Sequence, residues 1–163
     1  MVITNEEFRR ALSRFASGVT VITLKDKNGN PHGITVSAFC SVSLEPPLIL
    51  VCIDNEAGSR NAFHEGKRFV VNILSEEQTD HSNQFASQIA DKFINIHHHE
   101  GLEGIPVLKD ALVNLECRLV EHHIAGDHTI FIGEIEQAHV NEGNPLVYYQ
   151  GDYRKLILEN AAD

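Results

Sequence analysis

The chain has 163 residues, of which 42% are hydrophobic and 22% charged, with no compositional bias of the kind that marks disorder. This length suits one domain with one core, so we expect residues 1–163 to form a single domain. A formal net charge of −10 disfavours nucleic acid and anionic lipid as partners, because both bind clustered Lys and Arg.

No segment of the sequence predicts export or a membrane span. The longest apolar run, Leu48 to Ile53, is far shorter than the roughly 20 residues that a membrane helix needs, and no apolar run follows the N-terminal charges. The three cysteines, Cys40, Cys52 and Cys117, form no CxxC pair, which favours buried, reduced thiols. We therefore expect a cytoplasmic protein without membrane contact.

The first half of the chain predicts one helix followed by strands. Thr4 and Glu7 form a capping box that opens a helix over residues 4–17, which Gly18 ends. The β-branched run at 19–24 predicts a strand, and a polar turn should pair it with a second strand over 33–42. Further strands are predicted at 48–53, after Pro46 and Pro47, and at 69–74, with a short helix from a Ser59 cap to Gly66 between them.

The second half continues in the same way. Ser75 and Gln78 form a capping box that predicts a helix through about residue 88, and an irregular stretch over 89–110 follows. Alternating apolar residues and turn signals then predict strands at 113–119, 128–140 and 146–149. Because the strands outnumber the helices and short turns join them, we expect a mainly β fold with peripheral helices, closed as an antiparallel barrel.

The common signatures of catalysis and nucleotide binding are missing. The sequence contains no GxGxxG, no GxxxxGK[ST], no GxSxG and no HExxH. Among the ten histidines, only His97 and His99 share a strand face, whereas a zinc site needs three or four ligands, so we expect no metal.

The densest polar pattern lies in the segment GITVSAFCSVSLEPP. Alternation places Thr35, Ser37, Ser41 and Ser43 on one face of the predicted strand, together with Phe39. These hydroxyls must meet water, a neighbouring subunit or a ligand, since a buried hydroxyl without a partner costs about 1–3 kcal/mol. The pattern by itself leaves both a solvated face and a binding surface open.

Several motifs in order then give the chain a resemblance that covers nearly its whole length, from Phe8 to Leu156. They are FRRALSRFASGVTVIT at 8–23, GITVSAFCSVSLEPPLILVCI at 33–53, FVVNILSEEQ at 69–78, GIPVLKDALVNLECRLVE at 104–121 and GDHTIFIGEI at 126–135. With these motifs the chain resembles the flavin reductase family with the FMN-binding split barrel, the reductase partners of two-component flavin-dependent monooxygenases.

The resemblance implies an antiparallel split β-barrel and an NAD(P)H:flavin oxidoreductase. The expected cofactor is FMN or FAD, with NADH or NADPH as the hydride donor and a flavin-dependent monooxygenase as the partner that receives reduced flavin. It also implies a homodimer, because the barrels of this family bind flavin at a subunit interface.

The resemblance carries flavin-binding roles onto three segments. The first segment lines the flavin ring and ribityl chain and comprises Thr35, Val36, Ser37, Ala38, Ser41, Val42 and Ser43. The second takes the phosphate and comprises Asn55, Ala57, Ser59 and Arg60. The third is a helix that approaches the flavin with Phe85. A guanidinium suits a phosphate. Ala57 departs from the family, in which many members have Ser, and Asp54 and Glu56 bring negative charge to the same loop.

The GDH motif, Gly126, Asp127 and His128, implies the place where the nicotinamide docks. By resemblance His128 positions the nicotinamide and Asp127 fixes the turn, whereas without the resemblance the motif reads as a hairpin corner with a solvated histidine. Hydride transfer between stacked rings needs orientation and exclusion of water, so we expect no residue to act as a general acid or base.

Two other functions use the same barrel. A non-catalytic flavin-binding or electron-relay protein would explain Ala57 and the acidic phosphate loop. An enzyme that resembles pyridoxamine-phosphate oxidase is disfavoured, because basic residues for two phosphates are scarce.

Overall fold

Twelve strands and three α-helices make up the part of the chain that the computed structural model describes, residues 3–157. The helices are α1 (Asn5–Leu12), α2 (Arg60–Glu65) and α3 (Thr79–Ala86). The strands are β1 (Ser17–Gly18), β2 (Thr20–Lys25), β3 (Pro31–Val36), β4 (Phe39–Ser43), β5 (Leu48–Asp54), β6 (Arg68–Ile73), β7 (His98–Glu100), β8 (Pro106–Leu108), β9 (Val113–Ala125), β10 (His128–Val140), β11 (Val147–Tyr149) and β12 (Asp152–Arg154).

Seven of these strands form one antiparallel sheet in the order β3-β2-β6-β9-β10-β5-β4. The prediction of a mainly β fold is confirmed, and so is the β2-β3 hairpin, in which Thr20 lies opposite Val36. Within residues 3–157 no hydrogen-bonded ladder joins the two edge strands, β3 and β4, so the sheet is curled but not closed by pairing.

The predicted single strand over residues 33–42 is wrong. The chain ends β3 at Val36, passes through Ser37 and Ala38, and starts β4 at Phe39 on the opposite edge of the sheet. Phe39 N donates to Ser37 O at 3.0 Å, and Cys52 N donates to Ala38 O at 3.0 Å. The break arises because the two halves of this segment pair with different strands, β2 and β5.

The first helix begins as predicted but ends early. Thr4 caps α1 in a complete capping box, with Thr4 N donating to Glu7 Oε2 at 2.9 Å. The helix stops at Leu12, and Ser13 is its C-cap. Residues 17 and 18, where the sequence predicts the end of this helix, form β1 instead, because their backbone pairs with β11.

Two other boundaries differ from the sequence-based prediction. Ser75 N donates to Gln78 Oε1 at 3.0 Å, as in the predicted capping box, but α3 begins only at Thr79. The stretch 89–110 is not wholly irregular, since β7 and β8 pair there as a two-stranded sheet. Pro106 opens β8, where a proline at a strand end is tolerated.

The main core lies inside the curl of the large sheet. Phe63 of α2 packs on Phe131 of β10 with ring centroids 4.7 Å apart and on Phe69 of β6 at 5.9 Å. A second buried cluster, which includes Phe85 and Leu108, packs beneath α3. Among the described residues, no helix is long and apolar enough to cross a membrane.

A buried asparagine ties the centre of the sheet to β8. Asn72 of β6 is fully buried, and its Nδ2 donates to Val21 O at 2.9 Å and to Thr23 Oγ1 at 3.2 Å. Its Oδ1 accepts from Leu108 N and from Asn114 Nδ2, both at 2.9 Å. The amide thus makes four hydrogen bonds in the interior, to groups of β2, β8 and β9.

We expect Asn72→Ala to lower the free energy of unfolding by about 2–4 kcal/mol, because it removes four buried hydrogen bonds and leaves Leu108 N without its side-chain acceptor. Urea denaturation followed by circular dichroism measures the change. Asn28→Ala in the exposed β2-β3 turn is the control and should stay within about 0.5 kcal/mol of the wild type. Equal stability of the two variants would contradict a structural role for this network.

Candidate functional site

An open edge of the sheet carries the predicted ring-binding residues. Ser37, Ala38, Ser41 and Val42 are exposed and Ser43 is half-buried along β4 and the residues before it. In the part of the chain that the structure describes, none of these three serine hydroxyls has a hydrogen-bond partner within the protein. Their donors and acceptors are therefore free for a ligand or for water.

The predicted single face of hydroxyls is wrong, because the strand breaks between β3 and β4. Thr35 belongs to β3, where its hydroxyl donates to Ser82 O of α3 at 2.6 Å. Val36 is buried in the main core with 5% of its surface exposed. The polar edge therefore consists of Ser37, Ser41 and Ser43, while Thr35 already has a partner in the fold.

The loop after β5 holds two buried polar atoms without partners. Ser59 is the N-cap residue of α2, yet its side chain makes no capping bond, because its backbone is helical rather than extended (φ −85°, ψ −6°). Ser59 Oγ and Arg60 Nε are both buried and have no hydrogen-bond partner. An unpaired buried donor is costly, so either atom would be stabilised by an acceptor from outside the chain.

The other residues of this loop are engaged within it. Asp54 Oδ1 accepts from Glu56 N at 2.8 Å, and Asp54 O accepts from Ala57 N at 3.0 Å. Ala57 is half-buried and packs against the main core. The Asp54 carboxylate is therefore held by the loop backbone, and a longer side chain at Ala57 would have to displace core contacts.

Asn55 joins this loop to the turn between β9 and β10. Its backbone N donates to Asp127 O at 2.9 Å, and its Oδ1 accepts from Thr129 Oγ1 at 2.7 Å. Its Nδ2 lies 3.4 Å from Gly126 O. The predicted phosphate loop and the GDH turn are thus direct neighbours.

The GDH turn has the geometry that its sequence requires. Gly126 has φ +67°, which favours glycine at the first position of a two-residue hairpin turn. His128 Nδ1 lies 2.8 Å from Asp127 Oδ1, and this hydrogen bond, together with the charge of the imidazole, lowers the pKa of Asp127. The contact engages Nδ1 and leaves Nε2 of the half-exposed imidazole for a ligand.

A cleft of about 520 Å³ opens on the other side of the loop. It lies between the first half of β3, residues 57–59, and the segment 85–93, and Ser59 is part of its wall. Phe85 also lines it, but the side chain is fully buried and meets Phe93 edge-on with centroids 5.1 Å apart. Phe85 thus forms the floor of the cleft and not a surface that projects into it.

The comparisons with known proteins decide the family. Residues 12–156 match the model of the flavin reductase like domain. The chain belongs to this family.

Characterised relatives and a solved structure agree with the family model. The chain is 40% identical over 151 residues to the reductase component of a 4-nitrophenol 4-monooxygenase/4-nitrocatechol 2-monooxygenase of Rhodococcus opacus, covering 93% of this chain and 80% of the relative. It is 39% identical over 162 residues to an NADH-dependent flavin reductase of Rhodococcus sp., covering 96% and 89%. The NADH:FAD oxidoreductase SgcE6 of Streptomyces globisporus C-1027, solved with NAD and FAD fragments, superposes with a TM-score of 0.89 at 30% identity, covering 100% and 99%.

The residues of this flavin reductase like chain fit a flavin phosphate at one end of the polar edge. The unpaired Ser59 Oγ and Arg60 Nε are the observation that supports the fit. Ser43 lies at the other end, opposite Leu48, and is about 23 Å from Asn55 along the strand at roughly 3.3 Å per residue. Ser37 and Ala38 are the residues of this edge nearest to the loop.

Sequence reasoning missed Lys92, which no motif marks. Its Nζ donates to Phe85 O at 2.8 Å and lies 3.3 Å from Gly33 O in the wall of the cleft. Within residues 3–157 no group of three His, Cys, Asp or Glu side chains comes together as a metal would require.

Proposed function

We propose that this chain is an NAD(P)H:flavin oxidoreductase that reduces FMN or FAD and supplies reduced flavin to a partner flavin-dependent monooxygenase. The observation that carries the proposal is the pair of unpaired buried donors, Ser59 Oγ and Arg60 Nε, in a loop hydrogen-bonded to the GDH turn. The names of the relatives support it, since they include an NADH-dependent flavin reductase and a monooxygenase reductase component.

In this function each part of the open edge has its own role. The flavin ring and ribityl chain lie along β4 and its approach, and the phosphate lies in the loop after β5, on the residues Thr35, Val36, Ser37, Ala38, Ser41, Val42, Ser43, Asn55, Ala57, Ser59 and Arg60, with Phe85 beneath. Three of these residues shape the wall of the flavin site, because the fold already engages or buries their side chains: Thr35, Val36 and Phe85. The curl of the sheet, with consecutive strands at its two edges, supports the antiparallel split barrel.

Bound flavin supplies the electron-accepting ring, and NAD(P)H supplies the hydride. The chain itself binds and orients the two molecules. Asn55 fixes the distance between the phosphate loop and the GDH turn. A nicotinamide dinucleotide bound at His128 is therefore held in a defined position relative to a flavin bound at Ser59 and Arg60.

We expect Arg60→Met to weaken FMN binding about tenfold, because a charged hydrogen bond to the phosphate is lost. Fluorescence titration with FMN and with riboflavin, which lacks the phosphate, measures the effect. Riboflavin binding should change little, and Lys109→Met, at an exposed lysine, should leave both affinities unchanged. An equal loss for riboflavin would mean that Arg60 does not bind the phosphate.

We expect His128→Ala to raise the KM for NADH about tenfold and to change the KM for FMN little, since one hydrogen bond to the nicotinamide is lost. NADH oxidation at 340 nm with varied FMN measures both values. His123→Ala, which removes an exposed histidine of β9, is the control. If the wild type binds flavin but oxidises neither NADH nor NADPH, the flavin-binding or electron-relay function replaces this one.

We also propose that the protein is a homodimer, which the exposed apolar side chains in and after α1 support. Phe8, Leu12 and Phe15 expose 53%, 56% and 78% of their surface, and the structure buries no residue of α1. These side chains line an apolar groove of about 660 Å³ that also includes Ser37 and Ala38 of the polar edge. A second copy packed on this groove would cover apolar surface and border the flavin at the same time.

We expect Phe8→Glu combined with Leu12→Glu to convert a dimer into a monomer, because two carboxylates would be buried in the apolar interface. Sedimentation velocity at micromolar concentration measures the mass. Arg10→Glu adds an acidic side chain at α1 outside the groove and should remain dimeric. A monomeric wild type would contradict the homodimer.

A further inference from the structure

Thr129 of β10 has a buried hydroxyl to which the proposed function assigns no role. The residue is fully buried and lies opposite Ile53 of β5 and Ile124 of β9 in the sheet. Phe131, two positions further on the same face of the strand, belongs to the main apolar core. Valine has nearly the shape of threonine and would avoid burying a polar group, which costs about 1–3 kcal/mol without a partner. The contact made by the hydroxyl is therefore the reason to look for a role.

The hydroxyl holds one side chain, that of Asn55. Thr129 Oγ1 donates to Asn55 Oδ1 at 2.7 Å, and Nδ2 of the same amide lies 3.4 Å from Gly126 O. A rotation of the amide by 180° would place Oδ1 against this carbonyl oxygen, and two acceptors cannot share a hydrogen bond without a donor. The two contacts therefore hold the Asn55 amide in one orientation.

Asn55 is the bridge between the proposed phosphate loop and the GDH turn. In the described part of the chain, and outside the ladder of β5 and β10, every hydrogen bond between residues 54–60 and residues 126–129 involves Asn55. Its backbone N makes the third of these bonds, to Asp127 O at 2.9 Å. Loss of the side-chain orientation would therefore remove two of the three bonds that join the loop to the turn.

The backbone of the loop links Asn55 to the buried donors at its far end. Ala57 N donates to Asp54 O at 3.0 Å, and Arg60 N donates to Ala57 O at 3.0 Å. These two turns follow each other directly, so the backbone from 54 to 60 is held by its own hydrogen bonds. A shift of Asn55 consequently reaches the side chains of Ser59 and Arg60.

We propose that Thr129 is a positioning residue that couples flavin binding to dinucleotide binding by fixing the Asn55 amide between the two sites. The inference rests on the proposed function, in which the flavin phosphate binds at Ser59 and Arg60 and the nicotinamide dinucleotide binds at His128. A ligand at either site holds the loop and the turn in place, so the other ligand loses less conformational freedom when it binds. The coupling is reciprocal, because each ligand changes the affinity of the other by the same factor.

Equilibrium binding of flavin and NAD⁺ measures the coupling without turnover, since NAD⁺ has no hydride to transfer. Fluorescence titration gives the dissociation constants of FMN and of riboflavin, each with and without saturating NAD⁺. Riboflavin lacks the phosphate, so its coupling to NAD⁺ reports direct contact between the two ligands. The excess coupling of FMN reports the part that depends on the phosphate loop. We expect NAD⁺ to tighten FMN binding about fivefold more than riboflavin binding, which is the scale of one hydrogen bond.

Three variants separate positioning from stability. Thr129→Val removes the hydroxyl at nearly constant shape and should abolish the fivefold excess, whereas Thr129→Ser keeps the hydroxyl and should retain most of it. Thr23→Val is the matched control, because Thr23 is also fully buried and its hydroxyl donates to Pro106 O, outside both sites. This control should lower the melting temperature and leave the excess unchanged.

Several results would overturn the proposal. They are equal coupling of FMN and riboflavin in the wild type, an unchanged excess in Thr129→Val, and an equal loss of the excess in Thr23→Val. A merely structural role of Thr129 gives the second result, with a lower melting temperature. If Thr129→Val does not fold, Asn55→Ala decides, because it removes both side-chain contacts at a half-buried loop position. An excess that persists in Asn55→Ala overturns the proposal.

Failure of the reductase function gives a different result from failure of the coupling. NADH oxidation at 340 nm with FMN measures that function in the wild type. If the protein binds FMN and NAD⁺ but oxidises neither NADH nor NADPH, the reductase activity is absent, and the binding data still decide the coupling. If NAD⁺ does not bind, the coupling is overturned as well.

Discussion

The crossing of the chain from one edge of the sheet to the other is the constraint on which the site depends. β3 and β4 are consecutive, with only Ser37 and Ala38 between them, yet they form opposite edges of the seven-stranded sheet. The sheet must curl for two residues to span its edges. The curl brings Ser37 and Ala38 beside the end of β5, where Cys52 N donates to Ala38 O, and the loop after β5 consequently lies next to the same edge.

A contrast between two sets of buried polar groups supports the proposed phosphate site. Asn72 meets four partners in the interior, so this chain satisfies a buried amide fully where the group is structural. Ser59 Oγ and Arg60 Nε are also buried but have no hydrogen-bond partner. Because an unpaired buried donor costs about 1–3 kcal/mol, a fold that satisfies the first set and leaves the second unpaired is better explained by a missing acceptor than by poor packing.

The structural features that were predicted correctly depend on residues close to one another along the chain. The Thr4 capping box, the β2-β3 hairpin and the turn at Gly126 follow from side chains within a few positions of each other. The break at Ser37 could not be predicted in this way, since it depends on which strands pair with β3 and β4. For the same reason the pattern gave no signal for Lys92, whose partner carbonyls come from α3 and β3. The roles of the site residues came from resemblance and remain predictions.

An acidic chain that binds anionic nucleotides must keep its own carboxylates from opposing them, and local hydrogen bonding achieves this here. Asp54 is held by Glu56 N, and the hydrogen bond to His128 lowers the pKa of Asp127. Asn30 and neighbouring donors lower the pKa of Asp26 to about 2. Each of these carboxylates already accepts a hydrogen bond from the chain. The remaining negative charge acts over distances at which salt screens it, since the Debye length is about 8 Å at physiological ionic strength. A net charge of −10 therefore disfavours extended polyanions more than the single phosphate that we propose to bind at Arg60.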